Sequence, residues 1–435
     1  MKNSGVEWIG EIPENWEVKR GKELFFEIND RCKNPENYPL LSVSEYYGVA
    51  PKSEKIDEGD FITHAETLDG YKICQEGDIV QNIMLAWKRA TGMSNYEGLI
   101  SPAYCIYRPF KGVDSKYYHY LFRTDVYADL FKQFSTGIID SRLRLYPAKF
   151  LSLKYAYPPK STQQRIASYL DKKCNKIEET IQNQRQVIEK LKAYKQSLIT
   201  EAVTGKIKIQ NGKVCGKYEN YKDSGVEWIG KIPSEWKCKR LKFIVNSFKK
   251  GNGITKDEVF VNGDTPCVRY GELYTKYNYS FTECFSKTRK DVLQTLQYFS
   301  YGDILFTCTG ELIEEIGKNT VYLGNEKCLA GGDLIIASHS QNPSFLSYAL
   351  NSNYAQTQKS MGKAKLKVVH ISAREIGNIL TILPPIEEQE RIANFLDKQC
   401  IAIESSIEKK QNLIEKLTEY KKSLIYECVT GKKEI

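Results

Sequence analysis

The sequence lacks any long hydrophobic run. Among the 435 residues there is no stretch of about eighteen apolar residues, the length that a membrane-spanning helix needs. The N-terminal segment MKNSGVEWIGEIPENW contains no hydrophobic signal region. We therefore expect a chain that neither spans nor crosses a membrane and that works in the cytoplasm.

Metal-binding and disulfide patterns are also missing. The 12 cysteines are scattered singly, without a Cys-x-x-Cys pair, and there are only 4 histidines. Neither a zinc site nor a secreted disulfide scaffold fits this distribution. We expect reduced, mostly buried thiols and no bound metal.

The common catalytic motifs are absent as well. The chain has no Gly-x-x-x-x-Gly-Lys-Ser/Thr phosphate loop, no Gly-x-Gly-x-x-Gly, no His-Glu-x-x-His and no Gly-x-Ser-x-Gly. The acidic residues that cluster are Asp57, Glu58, Asp60, Glu311, Glu314 and Glu315. Such clusters usually lie on solvated faces, so we predict that the chain is not an enzyme and holds no cofactor of its own.

What the sequence does contain is a long internal repeat. Residues 158–206 and 384–433 each begin with a proline pair and continue with a heptad pattern that predicts one long helix; the offset is 384 − 158 = 226 residues. The predicted helix-pair seam consists of Leu170, Ile177, Ile181, Ile188, Leu191, Leu198, Leu396, Ile403, Ile407, Ile414, Leu417 and Leu424. Gln184, Lys195, Lys410 and Lys421 interrupt it. We expect these polar residues to fix the register at some cost in stability.

A second repeat precedes each globular stretch. Residues 2–20 return at 222–240 with an offset of 222 − 2 = 220 residues. The matching tryptophans are Trp8 and Trp16 in the first copy and Trp228 and Trp236 in the second. We interpret them as packing anchors. The globular stretches that follow are much less alike than these flanking segments, and both place β-rich runs before short helical pieces.

The predicted fold is α+β, with two globular domains separated by a pair of long antiparallel coiled-coil helices in a pseudo-two-fold internal repeat. The predicted parts are a domain at 1–157, a helix at 158–206, a linker at 207–221, a domain at 222–383 and a helix at 384–435. The repeated segments have a circular order: the first helix is followed by residues 222–240, and the matching residues 2–20 stand at the beginning of the chain. If it reflects spatial symmetry, the end of each helix lies near the start of the other domain, which an antiparallel pair satisfies. Periodicity alone leaves the orientation open.

Basic residues interleaved with aromatic and polar ones are the remaining candidates for a site. Arginine and lysine bond guanine edges or phosphates, so such loops could read DNA, and a net charge of +9 is compatible with that partner. The candidates are Trp87, Lys88, Arg89, Arg142, Arg144, Lys249, Lys250, Arg269, Tyr270, Lys287, Arg289, Lys363, Lys365, Lys367 and His370. The segments after Gly137 and Gly362 precede a long helix in both halves, which favours the basic residues within them.

These features together resemble the specificity subunit of type I restriction-modification systems, with two target-recognition domains and two helical spacer regions. The resemblance covers essentially the whole chain. It is carried by the segments through Trp16 and Trp236, the Gly-Asp-Ile turns at Gly77 and Gly302, the Pro-Pro-x-x-x-Gln-x-Arg-Ile-Ala-x-x-Leu-Asp segments at Pro158 and Pro384, and the Val-Thr-Gly-Lys segments after Ala202 and Cys428.

The resemblance implies a non-catalytic, DNA-reading subunit. Each domain would recognise one half of a bipartite, asymmetric site in double-stranded DNA. The helices would hold two modification subunits that methylate adenine with S-adenosylmethionine, and restriction/translocase subunits would join them. No cofactor is expected in this chain.

Other interpretations remain open from the sequence. The chain could serve a methylation-only complex, or it could be a coiled-coil scaffold that binds proteins without reading DNA. A stand-alone methyltransferase or nuclease would need a cofactor or metal constellation and would act without partners. DNA binding that weakens steeply as salt rises would distinguish recognition from a scaffold.

Overall fold

The computed structural model describes residues 1–32, 35–53, 68, 70–227, 229–293, 295–310, 312–363 and 369–435. It divides into two compact units, one formed by Met1–Gln184 with Gln411–Ile435 and the other by Arg185–Lys410. Each unit combines a globular α+β part with segments of two long helices. The predicted α+β class and both long helices are therefore confirmed.

The first unit contains the following described elements. Its strands are β1 Lys2–Asn3, β2 Glu11–Ile12, β3 Glu17–Arg20, β4 Phe25–Ile28, β5 Leu41–Ser44, β6 Gly48–Pro51, β7 Lys72–Cys74, β8 Ile79–Asn82, β9 Thr91–Met93, β10 Gly98–Ile100, β11 Tyr104–Pro109 and β12 Lys154–Tyr157. Its helices are α1 Gly21–Leu24, α2 Ser115–Phe122, α3 Asp125–Gln133, α4 Pro147–Ser152 and the beginning of α5 Lys160–Val203.

A four-stranded antiparallel sheet with the order β4-β11-β8-β9 is the centre of this unit. Aromatic side chains from the sheet, from α2 to α4 and from β12 fill the core beside it. The largest of these buried rings are Phe25, Tyr107, Tyr117, Tyr118, Phe122, Phe131, Phe150 and Tyr155. The rings of Tyr107 and Phe150 stack with their centres 4.3 Å apart and their planes 18° apart, a contact that stabilises the core beyond the burial of apolar area.

The second unit contains more strands among its described residues. They are β13 Ile209–Gln210, β14 Lys213–Val214, β15 Tyr221–Asp223, β16 Lys231–Pro233, β17 Lys237–Arg240, β18 Val245–Lys250, β19 Thr265–Val268, β20 Ser280–Phe281, β21 Ser286–Thr288, β22 Tyr298–Phe299, β23 Ile304–Thr307, β24 Thr309–Gly310, β25 Asn319–Tyr322, β26 Cys328–Ala330, β27 Leu334–His339, β28 Val369–His370 and β29 Leu380–Leu383. The helices are α6 Tyr270–Thr275, α7 Pro343–Leu350, α8 Asn353–Ser360, α9 Ala373–Gly377 and α10 Ile386–Val429.

Two mixed sheets organise this unit. One has the order β18-β27-β23-β25-β20 and the other the order β21-β19-β26-β22. Most of the pairs are antiparallel, but β20 runs parallel to β25 and β19 runs parallel to β26. The two globular parts therefore differ in sheet topology, as their different sequences suggest.

The Gly-Asp-Ile turn has the same structure in both units. Gly77 and Gly302 adopt left-handed backbone angles, with φ values of +88° and +85°, which glycine tolerates best. The carboxylate of Asp78 accepts a hydrogen bond from the backbone N–H of Gln75 at 2.9 Å, and that of Asp303 accepts one from Ser300 at 2.8 Å. Each turn leads directly into a buried central strand, β8 or β23.

In the first unit, α5 and the end of α10 pack antiparallel. Lys421 Nζ lies 2.9 Å from a carboxylate oxygen of Glu178. Ile166, which precedes Glu178 in α5, lines the same surface pocket as Gly431, which follows Lys421 in the chain. One segment therefore runs toward this pocket while the other runs away from it. The apolar seam between the two segments is buried, with Leu170 and Leu424 almost completely covered.

The second unit repeats this arrangement by itself. Lys195 Nζ lies 3.0 Å from Glu404 Oε1, while Gly205, beyond the end of α5, packs against Trp236, whose indole donates to Glu388 near the start of α10. The segments are therefore antiparallel here too. Leu198, Leu396 and Ile403 are buried in this seam, and Leu191 and Ile407 are half-buried beside it.

The glycines that end the long helices explain the circular order of the repeat. Gly205 and Gly431 have φ values of +71° and +73°, so each ends its helix in the left-handed conformation. A Cβ atom at Gly205 would lie 2.4 Å from the Pro233 ring, and one at Gly431 would lie 2.5 Å from the Pro13 ring. Within each unit, the end of one long helix therefore lies at the start of the globular part, as predicted.

The beginnings of the two helices are also held in the same way. The buried side chains of Gln163 and Gln389 each donate to the carbonyl oxygen of the first residue of a proline pair, at 2.7 and 2.9 Å. Their amide oxygens accept backbone N–H groups of Asp114 and Asn342, at 2.8 and 3.0 Å. These glutamines bind α2 and α7, respectively, to the helix starts.

Candidate nucleic-acid interface

Trp87 and Lys88 lie in a short 3-10 turn, Ala86–Lys88, between β8 and β9, and Arg89 follows it directly. Trp87 is half-buried, and its indole N–H donates to the carbonyl oxygen of Met84 at 3.0 Å. The ammonium groups of Lys88 and Lys132 lie 5.3 and 4.8 Å from the ring centre, within the range of a cation–π contact. Trp87 thus supports two lysines at the surface of the first unit.

Arg89 has a structural role in this turn. Its backbone is left-handed, with φ of +67°, and its guanidinium forms an ion pair with Asp125 at the start of α3. Its carbonyl oxygen accepts a hydrogen bond from Arg123 at 2.6 Å. This predicted DNA contact is therefore already engaged by a carboxylate of its own unit.

Arg123, which the sequence pattern did not single out, connects three segments beneath the turn. Its guanidinium donates to the carbonyl oxygens of Ser44, Glu45, Tyr46, Arg89 and Thr91. Burial lowers its pKa to about 10, although it remains protonated at neutral pH. Arg123 holds the turn in place from below.

Arg142 and Arg144 lie on the loop of residues 135–146 that follows α3. Arg142 ends an exposed 3-10 turn, Asp140–Arg142. Arg144 is half-buried, and its backbone exchanges hydrogen bonds of 2.9 and 3.0 Å with Thr136. Leu143 and Leu145 are buried, so the loop is anchored at its C-terminal side.

The structure brings the two basic runs of the first unit together. The backbone N–H of Leu145 donates to the carbonyl oxygen of Ile83 at 2.9 Å, and Ile83 shortly precedes the 3-10 turn that contains Trp87. Lys132 both contacts the Trp87 ring and lies 2.9 Å from Asp140 Oδ2. We call the residues Trp87, Lys88, Lys132, Arg142 and Arg144 the first basic surface.

In the second unit, Lys249 and Lys250 lie exposed at the end of the edge strand β18. Together with His370 they line a surface hollow of about 550 Å³, into which Asp333 and Glu375 also contribute. His370 lies on β28, which pairs with β24. We call Lys249, Lys250 and His370 the second basic surface.

Lys363 lies beside this surface but is paired. Its ammonium forms an ion pair with Glu375 and donates to the carbonyl oxygen of His370 at 2.7 Å. Burial alone would raise the pKa of Glu375, but hydrogen bonds from Lys363 and Ser372 lower it to about 2. The candidates Lys365 and Lys367 lie outside the described residues.

The remaining candidates of the second unit occupy other positions. Arg269 precedes α6 and is half-buried beside Glu272, with 4.0 Å between Arg269 Nε and a carboxylate oxygen. Tyr270 is 45% exposed and shares a hollow with Thr309, whose strand pairs with that of His370. Tyr270 therefore borders the second basic surface.

Lys287 and Arg289 lie on and just after β21, in the other sheet. Both are exposed. The guanidinium of Arg289 lies 4.8 Å from the centre of the Phe260 ring, and the carbonyl oxygen of Lys287 accepts the backbone N–H of Phe260 at 2.9 Å. These two cations are available to a ligand but are not part of the hollow.

Within the described part of the chain, no three histidine, cysteine, aspartate or glutamate side chains are grouped so that they could hold a metal ion. Of the acidic residues that cluster in the sequence, Asp57, Glu58, Asp60 and Glu311 lie outside that part. None of the described helices is long and apolar enough to cross a membrane. The two basic surfaces present cationic and aromatic side chains.

Comparison with known families and proteins adds the following. Residues 233–416 match the family model of the type I restriction modification DNA specificity domain. The type I restriction enzyme EcoKI specificity subunit of Escherichia coli is 23% identical over 429 residues, covering 93% of this chain and 86% of that protein. The MjaVIII specificity subunit of Methanocaldococcus jannaschii is 25% identical and covers 97% and 93%, respectively.

Solved structures with the same fold include two that cover nearly all of the chain. A chain from work on complex assembly and conformational transition of the type I R-M system has a TM-score of 0.69 at 13% identity, covering 97% of this chain and all of that one. The HsdS subunit from Thermoanaerobacter tengcongensis has a TM-score of 0.54 at 15% identity, with both chains fully covered.

Proposed function

We propose that this chain, a relative of the type I restriction-modification specificity subunits, is the DNA-recognition subunit of a type I restriction-modification complex. Its specificity-domain match over residues 233–416 and its similarity to specificity subunits along nearly the whole chain support the proposal. Each globular part would read one half of a bipartite, asymmetric site in double-stranded DNA.

The observation that supports this proposal is that two different surfaces are attached to one repeated frame, by which we mean the paired long-helix segments and the residues that hold their ends. The helix starts are held by Gln163 and Gln389 and the helix ends by Gly205 and Gly431, with the same contacts in each unit. The first basic surface, by contrast, lies on a turn, on α3 and on a loop, whereas the second basic surface lies on the strands β18 and β28. An asymmetric site has two different half-sites, so its recognition requires two different binding surfaces on equivalent frames.

The long helices would set the spacing between the half-sites. From Leu170 to Ala202 the first long helix advances by 202 − 170 = 32 residue steps, or about 48 Å at the helical rise of about 1.5 Å per residue. Because base pairs are about 3.4 Å apart along DNA, this length corresponds to about 14 base pairs between half-site centres.

The reaction itself would be carried out by partner subunits. We propose that the outer faces of the helices hold two modification subunits that methylate adenine with S-adenosylmethionine, and that restriction/translocase subunits join this complex indirectly. The chain would contribute binding and orientation of the DNA through the cations and aromatic rings of the two basic surfaces.

Co-expression with the neighbouring methyltransferase, followed by long-read sequencing of the host DNA, tests the proposal. The expected result is methylated adenines in one bipartite motif, with half-site centres no more than about 14 base pairs apart. Expression of the methyltransferase alone is the control. Methylation of an undivided motif, or the same motif without this chain, would contradict the proposed function.

A further inference from the structure

The loop of residues 135–146 in the first unit exposes two apolar side chains. Ile138 is 99% exposed and Ile139 is 52% exposed. Single exposed apolar residues are common, but here two β-branched side chains stand next to each other at a loop tip. The sequence pattern did not indicate them, because an Ile-Ile pair usually signals burial.

This loop is tightly closed at its base. Thr136 and Arg144 exchange two backbone hydrogen bonds of 2.9 and 3.0 Å. Gly137 packs so closely against the opposite side that a Cβ atom would lie 2.6 Å from the carbonyl oxygen of Arg142. Leu143 and Leu145 are buried beneath it. The loop therefore holds its two isoleucines outward by several independent contacts.

Cations lie on and beside the loop that carries the exposed tip, together with the carboxylate of Asp140, which pairs with Lys132. Arg142 lies across the loop from Gly137, and among the described residues no carboxylate lies within salt-bridge range of it. Lys132 and Lys88 lie close to the neighbouring Trp87 ring. Ile138 and Ile139 thus form a small exposed apolar patch within the first basic surface. A polyanion with apolar groups inside its grooves has the complementary chemistry, and DNA is such a ligand.

We propose that Ile138 and Ile139 contact the apolar surface of bases in one half-site, while the cations around them hold the phosphates. This inference rests on the proposed function, since it assigns the residues by which the first domain recognises DNA. Two kinds of apolar base surface fit the tip. One is the 5-methyl group of thymine in the major groove, and the other is a partly unstacked base step in the minor groove.

The test uses the purified full chain with a library of randomised duplexes and sequences those that bind. The variant carries both I138S and I139S, and I386S is the matched control, because Ile386 is a 54% exposed isoleucine of the second unit, at the beginning of α10. The expected result is that the double variant loses about fivefold or more of the preference at one or two adjacent positions of one half-site. The other half-site and the control variant should be unchanged.

Two further measurements distinguish the base surfaces. Replacing thymine by deoxyuridine at the affected positions should reproduce the loss with the wild-type chain if methyl groups are contacted. A 2-aminopurine placed there should become brighter on binding of the wild-type chain, but not of the double variant, if a base step is opened. Either result supports the proposal.

The proposal is overturned if the double variant selects the same motif with the same strength. It is also overturned if the preference is lost while neither deoxyuridine nor 2-aminopurine has an effect, since the isoleucines would then act only through the shape of the loop. If the wild-type chain selects no motif and binds without dependence on salt, the proposed function itself fails, which is a different result.

Discussion

At the scale of single residues, the structure separates cations that are available for binding from cations that already have a partner. Arg89 and Lys363 belong to the second group, since Asp125 and Glu375 pair with them. Arg142 belongs to the first group, because it lies exposed on its loop. A basic residue in the sequence therefore becomes a good DNA-binding candidate only after its neighbours are known.

This difference predicts unequal effects of two alanine substitutions. Each phosphate contact contributes about 0.9 to the slope of log affinity against log salt concentration. R142A should therefore reduce that slope by about 0.9 and weaken DNA binding by about eightfold at 0.1 M salt, relative to its effect at 1 M. R89A should leave that slope unchanged and instead destabilise the turn, because Asp125 loses its partner. Titrations of one duplex at several salt concentrations measure both. Equal slopes for R142A and the wild-type chain would contradict the assignment of Arg142.

His119 predicts a dependence of stability on pH. Its half-buried ring accepts the backbone N–H of Met93 at 3.2 Å through Nδ1, and burial lowers its pKa to about 3, with Arg123 and Lys116 contributing. The folded pKa thus lies below the unfolded value of about 6.5. As the pH falls through that value, the unfolded state takes up the proton first, so the folded state loses stability.

We expect the first unit to lose about 1–2 kcal/mol of unfolding free energy between pH 7 and pH 5 through this residue. The variant H119N should lose less over the same range, since asparagine can keep an acceptor near Met93 but does not titrate. Hydrogen exchange of the Met93 amide reports the local stability. A wild-type chain and an H119N variant with the same pH dependence would contradict the role of His119.

At the scale of elements, two of the four polar residues predicted to interrupt the helix seam, Lys195 and Lys421, have charged partners. Lys195 pairs with Glu404, and Lys421 pairs with Glu178, at 3.0 and 2.9 Å. The offset of the repeat relates the two pairs, because 195 + 226 = 421 and 178 + 226 = 404. Each unit thus has one copy of the same ion pair between antiparallel helix segments.

These pairs predict the outcome of a charge exchange. K195E and K421E together should lower the stability of the helix pairs, because each new carboxylate would face an existing one. Adding E178K and E404K should restore it. Since all four side chains are partly exposed, we expect no more than about 1 kcal/mol for each pair. Denaturant midpoints of the wild-type chain, the double variant and the fourfold variant measure these changes in stability. Additive effects of the four substitutions would argue against a role of these pairs in register.

At the scale of the whole molecule, an equivalent frame carries two dissimilar globular parts. Each unit has a Gly-Asp turn before a central strand, a glutamine at the helix start, and a tyrosine bound to an aspartate of the helix. Tyr120 donates to Asp171 at 2.7 Å, and Tyr348 donates to Asp397 at 2.8 Å. The contacts that repeat belong to the frame, and those that differ belong to the two basic surfaces.

The whole chain should bind duplex DNA with a strong dependence on salt. If the lysines and arginines of the two basic surfaces other than Lys132, which pairs with Asp140, each contact a phosphate, affinity should fall about five hundredfold between 50 and 200 mM salt. Fluorescence anisotropy with a labelled duplex measures this, and a variant with K249A and K250A should reduce the slope by about two contacts. Binding that is independent of salt would instead favour a scaffold that contacts only proteins.

Much of the fold could be predicted from the sequence for physical reasons. A 3.5-residue apolar period over 44 residues has few solutions other than a long paired helix. Glycines that need left-handed angles, such as Gly205, mark helix ends directly. The circular order of two unequal repeats then favoured an antiparallel pair. These features depend on local geometry and on order along the chain, which a sequence contains.

Only the tertiary structure decided which candidate residues are free to bind. The partner of Arg89 is 36 residues away, and the ion pairs of the helices join residues more than 200 positions apart. No local pattern encodes such neighbours. The same is true of Ile138, whose apolar side chain would be expected in a core, but which a closed loop holds in solvent. Exposure and pairing result from contacts across the fold, and the sequence alone does not specify them.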